Sequence, residues 1–172
     1  MFKRILCPLD GSDHARKAMD LAIRLAWSND AELVFLHNML VTAASEELER
    51  FAEIEGLSHA VQPEVTRLRA VEGRLEYGYQ EPPQGGNRAY VEIGQAILDD
   101  AKEKATEAGV KTVDTILTDG DAANQILRAI DERDADCVVL GSRGLSDMRA
   151  LFLGSVSHKV LNRAPCTCIA VK

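Results

Sequence analysis

The sequence predicts an α/β protein in which one five-stranded parallel sheet carries helices on both faces. Apolar runs of strand length alternate with helical patterns, which is the order that crossover helices and a parallel sheet require. The composition agrees, because 46% of the residues are hydrophobic and only 5% are aromatic, as expected for strands rich in valine, isoleucine and leucine. The 172 residues suit a single domain, 1–172, with one core.

Each predicted element has its own local signal. The apolar runs place strands at residues 2–9, 31–37, 110–117, 136–141 and 167–171. Helices are predicted from Ser12 to about Trp27, over residues 122–133 and after Ser155, because apolar residues recur about every three or four positions after a capping or turn residue. Ligands bind such sheets at the carboxyl ends of the strands, where the strand order reverses. If the first and fourth strands are central neighbours, Asp10 faces Gly141 across one crevice.

Residues 40–90 differ from the rest of the chain and predict a helical insertion after the second strand. Their first part carries apolar residues on one face of a charged helix, and residues 63–77 can form another. Paired prolines and glycines then interrupt the periodicity over residues 78–90. The favoured interpretation is a solvated helical segment with a flexible tip. A lid, or a surface for a protein partner, stays open because the insertion leaves the end of the second strand, beside the crevice.

The segment 140–156, LGSRGLSDMRALFLGSV, lies between a predicted buried strand and a predicted helix. Its three glycines, Gly141, Gly144 and Gly154, can adopt positive φ, and their missing side chains let backbone amides approach a ligand. Phosphate is the natural ligand, since the following helix directs the positive end of its dipole at the loop. The spacing matches neither G-x-x-x-x-G-K-[ST] nor G-x-G-x-x-G. Spacing alone therefore predicts a phosphate loop of unspecified kind.

The net charge, the apolar stretches and the cysteine positions restrict the kinds of function that the sequence predicts. The formal net charge of -7 opposes nucleic-acid binding, which needs clustered lysine and arginine. No apolar stretch approaches the roughly 20 residues that span a bilayer, and no signal peptide is evident, so we expect no membrane association and a cytoplasmic protein. Cys166 and Cys168 are expected on the same face of the last strand. A metal or redox pair is one interpretation, and a buried structural pair is the favoured one.

With these patterns in place, the chain resembles the universal stress proteins. The similarity covers ILCPLDGSDHARKAMDLAIRLA near the amino terminus, the strand LVFLHN and residues 91–172. Its most specific element is G-x2-G-x9-G-[ST], formed by Gly141, Gly144, Gly154 and Ser155. The resemblance implies a Rossmann-like fold of the adenine nucleotide α-hydrolase type and the ATP-binding branch of the family.

The resemblance also implies the residues of the nucleotide site. Asp10 would bind a ribose hydroxyl, or a Mg²⁺ or Mn²⁺ ion carried on the phosphates beside Ser155. The backbone of Asn38 would meet the adenine edge, although the family often has valine there and the base preference is open. The complete implied set is Pro8, Leu9, Asp10, Asn38, Leu140, Gly141, Arg143, Gly144, Gly154, Ser155, Val156 and Ser157.

Family members commonly form homodimers through the last strand, here about Thr167–Val171, and an unpaired edge strand favours such pairing. None of His14, His37, His59 and His158 has an evident carboxylate partner, so a placed general base is not expected. The leading hypothesis is an ATP-binding regulatory homodimer in stress response, with slow or no hydrolysis and no catalytic residue. An ATP-hydrolysing enzyme of the same superfamily, and a protein-interaction module with a vestigial site, are the alternatives.

Overall fold

The computed structural model describes residues 1–39, 86–144 and 153–172. Five strands and four helices alternate within this part of the chain, so the predicted α/β architecture is confirmed. The strands are β1 (Arg4–Leu9), β2 (Glu32–Asn38), β3 (Val113–Thr118), β4 (Cys137–Gly141) and β5 (Thr167–Val171). The helices are α1 (Asp13–Asn29), α2 (Gly86–Glu107), α3 (Ala122–Glu132) and α4 (Ser155–Arg163).

All strand pairs are parallel, and the order across the sheet is β3-β2-β1-β4-β5. The chain moves outward from β1 to β3 and then returns to the other side of β1 to form β4 and β5. The strand order therefore reverses between β1 and β4, the central neighbours that the sequence analysis required. A ligand crevice is expected at the carboxyl ends of these two strands.

The sheet separates two apolar layers, because successive residues of a strand point to opposite faces. Ile5 and Phe35 are fully buried in the layer that α1 and α2 cover. Leu6 and Val138 are fully buried in the layer formed with α3 and α4. Burial on both faces explains why the central strands are continuous apolar runs.

The first helix begins and ends at residues that the sequence marks. The Ser12 side chain caps α1 by accepting a hydrogen bond from the Ala15 amide at 3.1 Å. At the other end, Asp30 adopts the left-handed conformation with φ 53°, and its amide bonds to carbonyls of the last turn. The cap at Ser12 matters for function because it places the start of α1 directly after β1, beside the reversal point.

Helix α2 is the largest departure from the predicted elements. It begins at Gly86, within the segment 78–90 that was expected to lack periodic structure, so that expectation is wrong for residues 86–90. The reason is tertiary, since Ile93, Ile97 and Leu98 are buried against the sheet and stabilise the helix as a whole. The helices expected between residues 40 and 77 lie outside the described residues. In the described part, no helix is long and apolar enough to cross a membrane.

Strand β3 also begins later than predicted, at Val113 rather than at residue 110. The amide of Val110 instead donates to the carbonyl of Ala105 at 3.0 Å and closes the end of α2. Gly109, with φ 90°, makes this turn possible.

Candidate functional site

The central strands β1 and β4 separate towards their carboxyl ends. Their pairing stops at Leu6↔Val138, whereas β1 stays paired with β2 as far as Leu9↔His37. The carbonyl of Arg4 accepts the Asp136 amide, so the even-numbered backbone positions of β1 face β4. Pro8 is one of them, and it has no N–H to donate. The two strands therefore open a crevice where the strand order reverses.

Asp10 and Gly144 meet in this crevice. One carboxylate oxygen of Asp10 accepts the Ser12 amide at 3.0 Å. A β-carbon placed on Gly144 would lie 2.6 Å from Oδ2 of the same carboxylate, so only glycine fits there without a shift. The sequence analysis expected Asp10 to face Gly141, and this is wrong in detail, because the carboxylate lies against Gly144 of the same loop.

Gly141 has a different neighbour from the one expected. A β-carbon on Gly141 would lie 2.9 Å from the backbone carbonyl carbon of His14 and from the backbone nitrogen of Ala15. This close approach lets the start of α1 rest on the end of β4. The missing side chain at Gly141 thus serves helix packing.

The motif glycines are not in the left-handed region. In the described chain, positive φ occurs at Gly11, Gly109 and Gly120 among the glycines, so the expectation of positive φ in the glycine loop is wrong for its described members. Gly154 has φ -67° and is the N-cap of α4. Close approach, rather than unusual backbone angles, accounts for the loop glycines.

The amides of the glycine loop divide into two groups. Those of Ser142 and Gly154 already donate to the protein, to the carbonyls of Val171 at 2.7 Å and of Ser142 at 2.8 Å respectively. The first turn of α4 differs, because Gly154 supplies no side-chain cap and the amides of residues 155–157 precede the first intrahelical bond. An uncapped helix start beside the crevice attracts an anion.

Other predicted site residues lie around the same opening. The hydroxyl of Ser157 donates to the Gly141 carbonyl at 2.7 Å, which holds α4 to the end of β4. Leu140 is buried next to this point and Arg143 is exposed. Pro8, Leu9 and Val156 complete the described surroundings. Residues 145–152 of the loop lie outside the described residues.

The side chain of Asn38 is already engaged at the end of β2. Its Nδ2 donates to the Gly120 carbonyl at 3.0 Å, and its Oδ1 accepts the Thr118 hydroxyl at 2.9 Å. The amide therefore ties β2 to the turn after β3. The role expected for the Asn38 backbone at an adenine edge stays a prediction.

The described histidines are poorly suited to act as a general base. His37 is buried, its Nδ1 lies 2.9 Å from the Leu9 carbonyl, and burial lowers its pKa. The exposed His158 ring contacts the Asn162 amide at 3.1 Å. His14 contacts the hydroxyl of Ser142 at 3.0 Å, a pairing that no sequence pattern indicates. His59 lies outside the described residues.

Cys137, Cys166 and Cys168 lie at the end of the sheet opposite the crevice, whereas Cys7 is buried within β1. All four are free thiols, and the Cys168 thiol donates to the Cys166 carbonyl at 3.5 Å. Burial raises the pKa of Cys166 to about 11 and that of Cys137 to about 12, which keeps these thiols protonated and unreactive at neutral pH. This favours the structural interpretation of the pair. Among the described residues, no three histidine, cysteine or carboxylate side chains form a metal site.

The whole chain, residues 1–172, matches the sequence profile of the Universal stress protein family. Universal stress protein YxiE of Bacillus subtilis is 33% identical to it over 172 residues, with both chains covered completely. The chain belongs to the universal stress protein family. This confirms the resemblance that the glycine spacing and the amino-terminal segment indicated.

Solved structures of universal stress proteins share the fold. UspA from Lactobacillus plantarum superposes with a TM-score of 0.65 at 20% identity, covering 99% of this chain and 97% of the other. A universal stress protein in complex with cAMP gives 0.61 at 22% identity, with coverage of 99% and 96%. The Archaeoglobus fulgidus universal stress protein in complex with dAMP gives 0.57 at 16% identity, with coverage of 100% and 98%. At these identities the likeness establishes the architecture.

Proposed function

We propose that this universal stress protein binds ATP in the crevice between β1 and β4, and that it acts as a nucleotide-dependent regulatory homodimer with slow or no hydrolysis. The observation that carries the proposal is the fit of Gly144 against the carboxylate of Asp10, beside the uncapped start of α4. A side chain at Gly144 would displace this carboxylate from its position beside the loop. The complexes of family members with cAMP and dAMP support an adenine nucleotide as the ligand class.

The phosphates would lie at the start of α4. The amides of Ser155, Val156 and Ser157 have no intrahelical acceptor there, and the helix dipole favours negative charge. The exposed Arg143 adds a positive charge at the same end of the sheet. Gly154 would contribute its small size rather than its amide, because that amide already donates to Ser142.

A Mg²⁺ or Mn²⁺ ion would have to be shared between the protein and the nucleotide. Asp10 offers a carboxylate at the crevice, but the described residues contain no group of three ligating side chains. The phosphates would therefore supply most of the ligands, as is usual for magnesium in nucleotide sites. We accordingly propose Asp10 as the protein ligand of a metal that arrives with ATP.

Slow hydrolysis follows from the surroundings of the described histidines. Phosphoryl transfer needs an oriented nucleophile as well as bound phosphates. The rings of His14, His37 and His158 are engaged with Ser142, Leu9 and Asn162 respectively. Because each of these rings already has a contact within the protein, we expect ATP to act mainly as a ligand that biases conformation or assembly.

Dimerisation would use the edge strand β5. This strand pairs with β4 on one side, and β5 is the last strand in the sheet order. A second copy could pair along Thr167–Val171 and satisfy the outer backbone groups. Native mass spectrometry of the purified protein would report subunit number and retained nucleotide together.

The nucleotide site is tested by a pair of substitutions at Gly154. A β-carbon there would lie 3.4 Å or more from its nearest neighbours, so Gly154→Ala should fold and bind ATP with only a modest loss. Gly154→Val should abolish measurable ATP binding, because its branched side chain would press on the backbone of residues 142–144 and displace the glycine loop from the start of α4. Calorimetry with ATP and GTP, together with circular dichroism, measures affinity, base preference and folding. Unchanged ATP affinity in a folded Gly154→Val protein would contradict the site.

Two further measurements on the purified protein distinguish the alternative functions, an enzyme and a protein-interaction module. Multiple-turnover ATP hydrolysis that disappears in Asp10→Ala would favour an enzyme. An empty crevice together with a protein partner captured through residues 40–90 would favour an interaction module.

A further inference from the structure

The start of α1 is joined to the glycine loop through two polar side chains. Nδ1 of His14 lies 3.0 Å from the hydroxyl oxygen of Ser142, although the two residues are 128 positions apart in the sequence. His14 is the second residue of α1 and is half-buried, whereas Ser142 follows β4 directly and is only 1% exposed. The contact is therefore a bond between two elements.

Ser142 joins three elements at one point. Its amide donates to the carbonyl of Val171 at the end of β5, and its own carbonyl accepts the amide of Gly154 at the start of α4. Its hydroxyl is shared with His14 on α1. Each polar group of this one residue thus fixes a different neighbour, and only the hydroxyl bond depends on side chains.

The next residues of the loop depend on this anchor. The carbonyl of Arg143 accepts the Ser12 hydroxyl at 3.3 Å, which is a longer and weaker second contact with α1. Gly144 follows immediately and lies against the carboxylate of Asp10. A shift of Ser142 would therefore move both Gly144 and the start of α4.

The burial of Ser142 decides between two roles for the pair. A serine that acts as a nucleophile has to reach its substrate, and a residue that is 1% exposed does not. The backbone at His14 is also held tightly, because it packs directly against Gly141. These contacts suit a fixed support for the loop.

We propose that His14 is a positioning residue of the nucleotide site, which acts through the Ser142 hydroxyl to hold Gly144 and the start of α4 in place for phosphate binding. This inference rests on the proposed function, since it concerns the same site. Without the bond, the loop has more conformations available, and ATP binding has to restrict them at a cost in affinity.

The test compares ATP affinities of single and double variants by calorimetry. His14→Ala and Ser142→Ala should each weaken ATP binding about five- to tenfold, which corresponds to one hydrogen bond. The double variant should be no weaker than either single one, because both substitutions remove the same bond. His14→Asn should regain most of the affinity, since its side-chain amide can reach Ser142 from the same position.

Asn29→Ala is the matched control. Asn29 lies at the other end of α1, and its side chain accepts the Phe2 amide at 3.2 Å, so this variant loses a bond between α1 and the chain before β1. It should lower the free energy of unfolding and leave ATP affinity unchanged.

The outcomes are distinguishable. Unchanged ATP affinity in a folded His14→Ala protein, or independent losses that add in the double variant, would overturn the positioning role while ATP binding stands. Failure of the unmodified protein to bind ATP would overturn the proposed function and this inference together. Should His14→Ala not fold, the Ser142→Ala and His14→Asn pair decides the question.

Discussion

The two ends of the central strand pair carry one aspartate each, and the two carboxylates are used differently. Asp136 precedes β4 and accepts the amides of Lys3 and Arg4 at 2.8 Å and 3.1 Å, one on each oxygen. Asp10 follows β1 and accepts the Ser12 amide on one oxygen, while the other oxygen faces Gly144. Both oxygens of the first carboxylate accept backbone amides, whereas one oxygen of the second lies against Gly144, a residue without a side chain.

The polar groups near the two aspartates also differ between the two ends of the sheet. At the amino-terminal end of the sheet, Arg4 pairs with Glu32 at 2.8 Å and also donates to the Arg133 carbonyl. At the carboxyl-terminal end, α4 begins without a side-chain cap. The polar groups at the amino-terminal end are paired within the protein, whereas the carboxyl-terminal end also includes the uncapped helix start that we propose as the phosphate site. The two aspartates thus differ in what faces the second carboxylate oxygen.

Within the comparison of the two aspartates, the largest expected effect is at Gly144, which lies against Asp10. Gly144→Val should weaken ATP binding about 100-fold, which is about 2.7 kcal/mol, because its side chain would both displace the Asp10 carboxylate and add two methyl groups at the crevice. Calorimetry measures the affinity and circular dichroism the folding. ATP binding that survives in the folded variant would show that the space beside Asp10 is not part of the site.

The second prediction compares the removal of each aspartate side chain. Asp136→Ala should lower the free energy of unfolding by about 2 kcal/mol, since two backbone amides lose a charged acceptor, and should leave ATP affinity unchanged. Asp10→Ala should weaken ATP binding about tenfold with a smaller loss of stability. Urea unfolding and calorimetry on both proteins give the two quantities. Equal effects of the two substitutions on ATP affinity would remove the distinction.

The smallest effect concerns pH and the buried His37, which packs beside Leu9 at the functional end. Burial lowers its folded-state pKa below the ordinary 6.5, so the unfolded chain binds the proton more readily. The contribution of this group to stability is therefore complete above about pH 6.5 and is lost as pH falls below that value, by up to about 1.4 kcal/mol at pH 5.5. Urea unfolding at pH 7.5 and 5.5 should show this loss, and His37→Asn should reduce it. An identical pH response in both proteins would exclude His37 as its source.

Elements that depend on residues close together in the sequence were predicted more accurately than elements that depend on distant contacts. The strands and α1 could be predicted because their apolar spacing and caps are local, as at Ser12. The start of α2 at Gly86 was not predicted, since the glycines there favour a turn, and packing of Ile93 and Ile97 on the sheet helps to stabilise the helix. The roles assigned to the nucleotide-site residues, the dimer through β5 and the cytoplasmic location remain predictions.

The sequence by itself determined the family, the alternation of strands and helices, and the positions of the glycines, because each of these is written in residue type and spacing. The tertiary structure decided which glycine lies against Asp10 and which backbone amide bonds to the Ser142 carbonyl. It also decided that the His14 ring contacts the Ser142 hydroxyl. The contacts of Gly144 with Asp10 and of Ser142 with His14 join residues more than a hundred positions apart. They form only when the sheet order places β4 beside β1. No local sequence pattern specifies contacts between segments that lie so far apart in the chain.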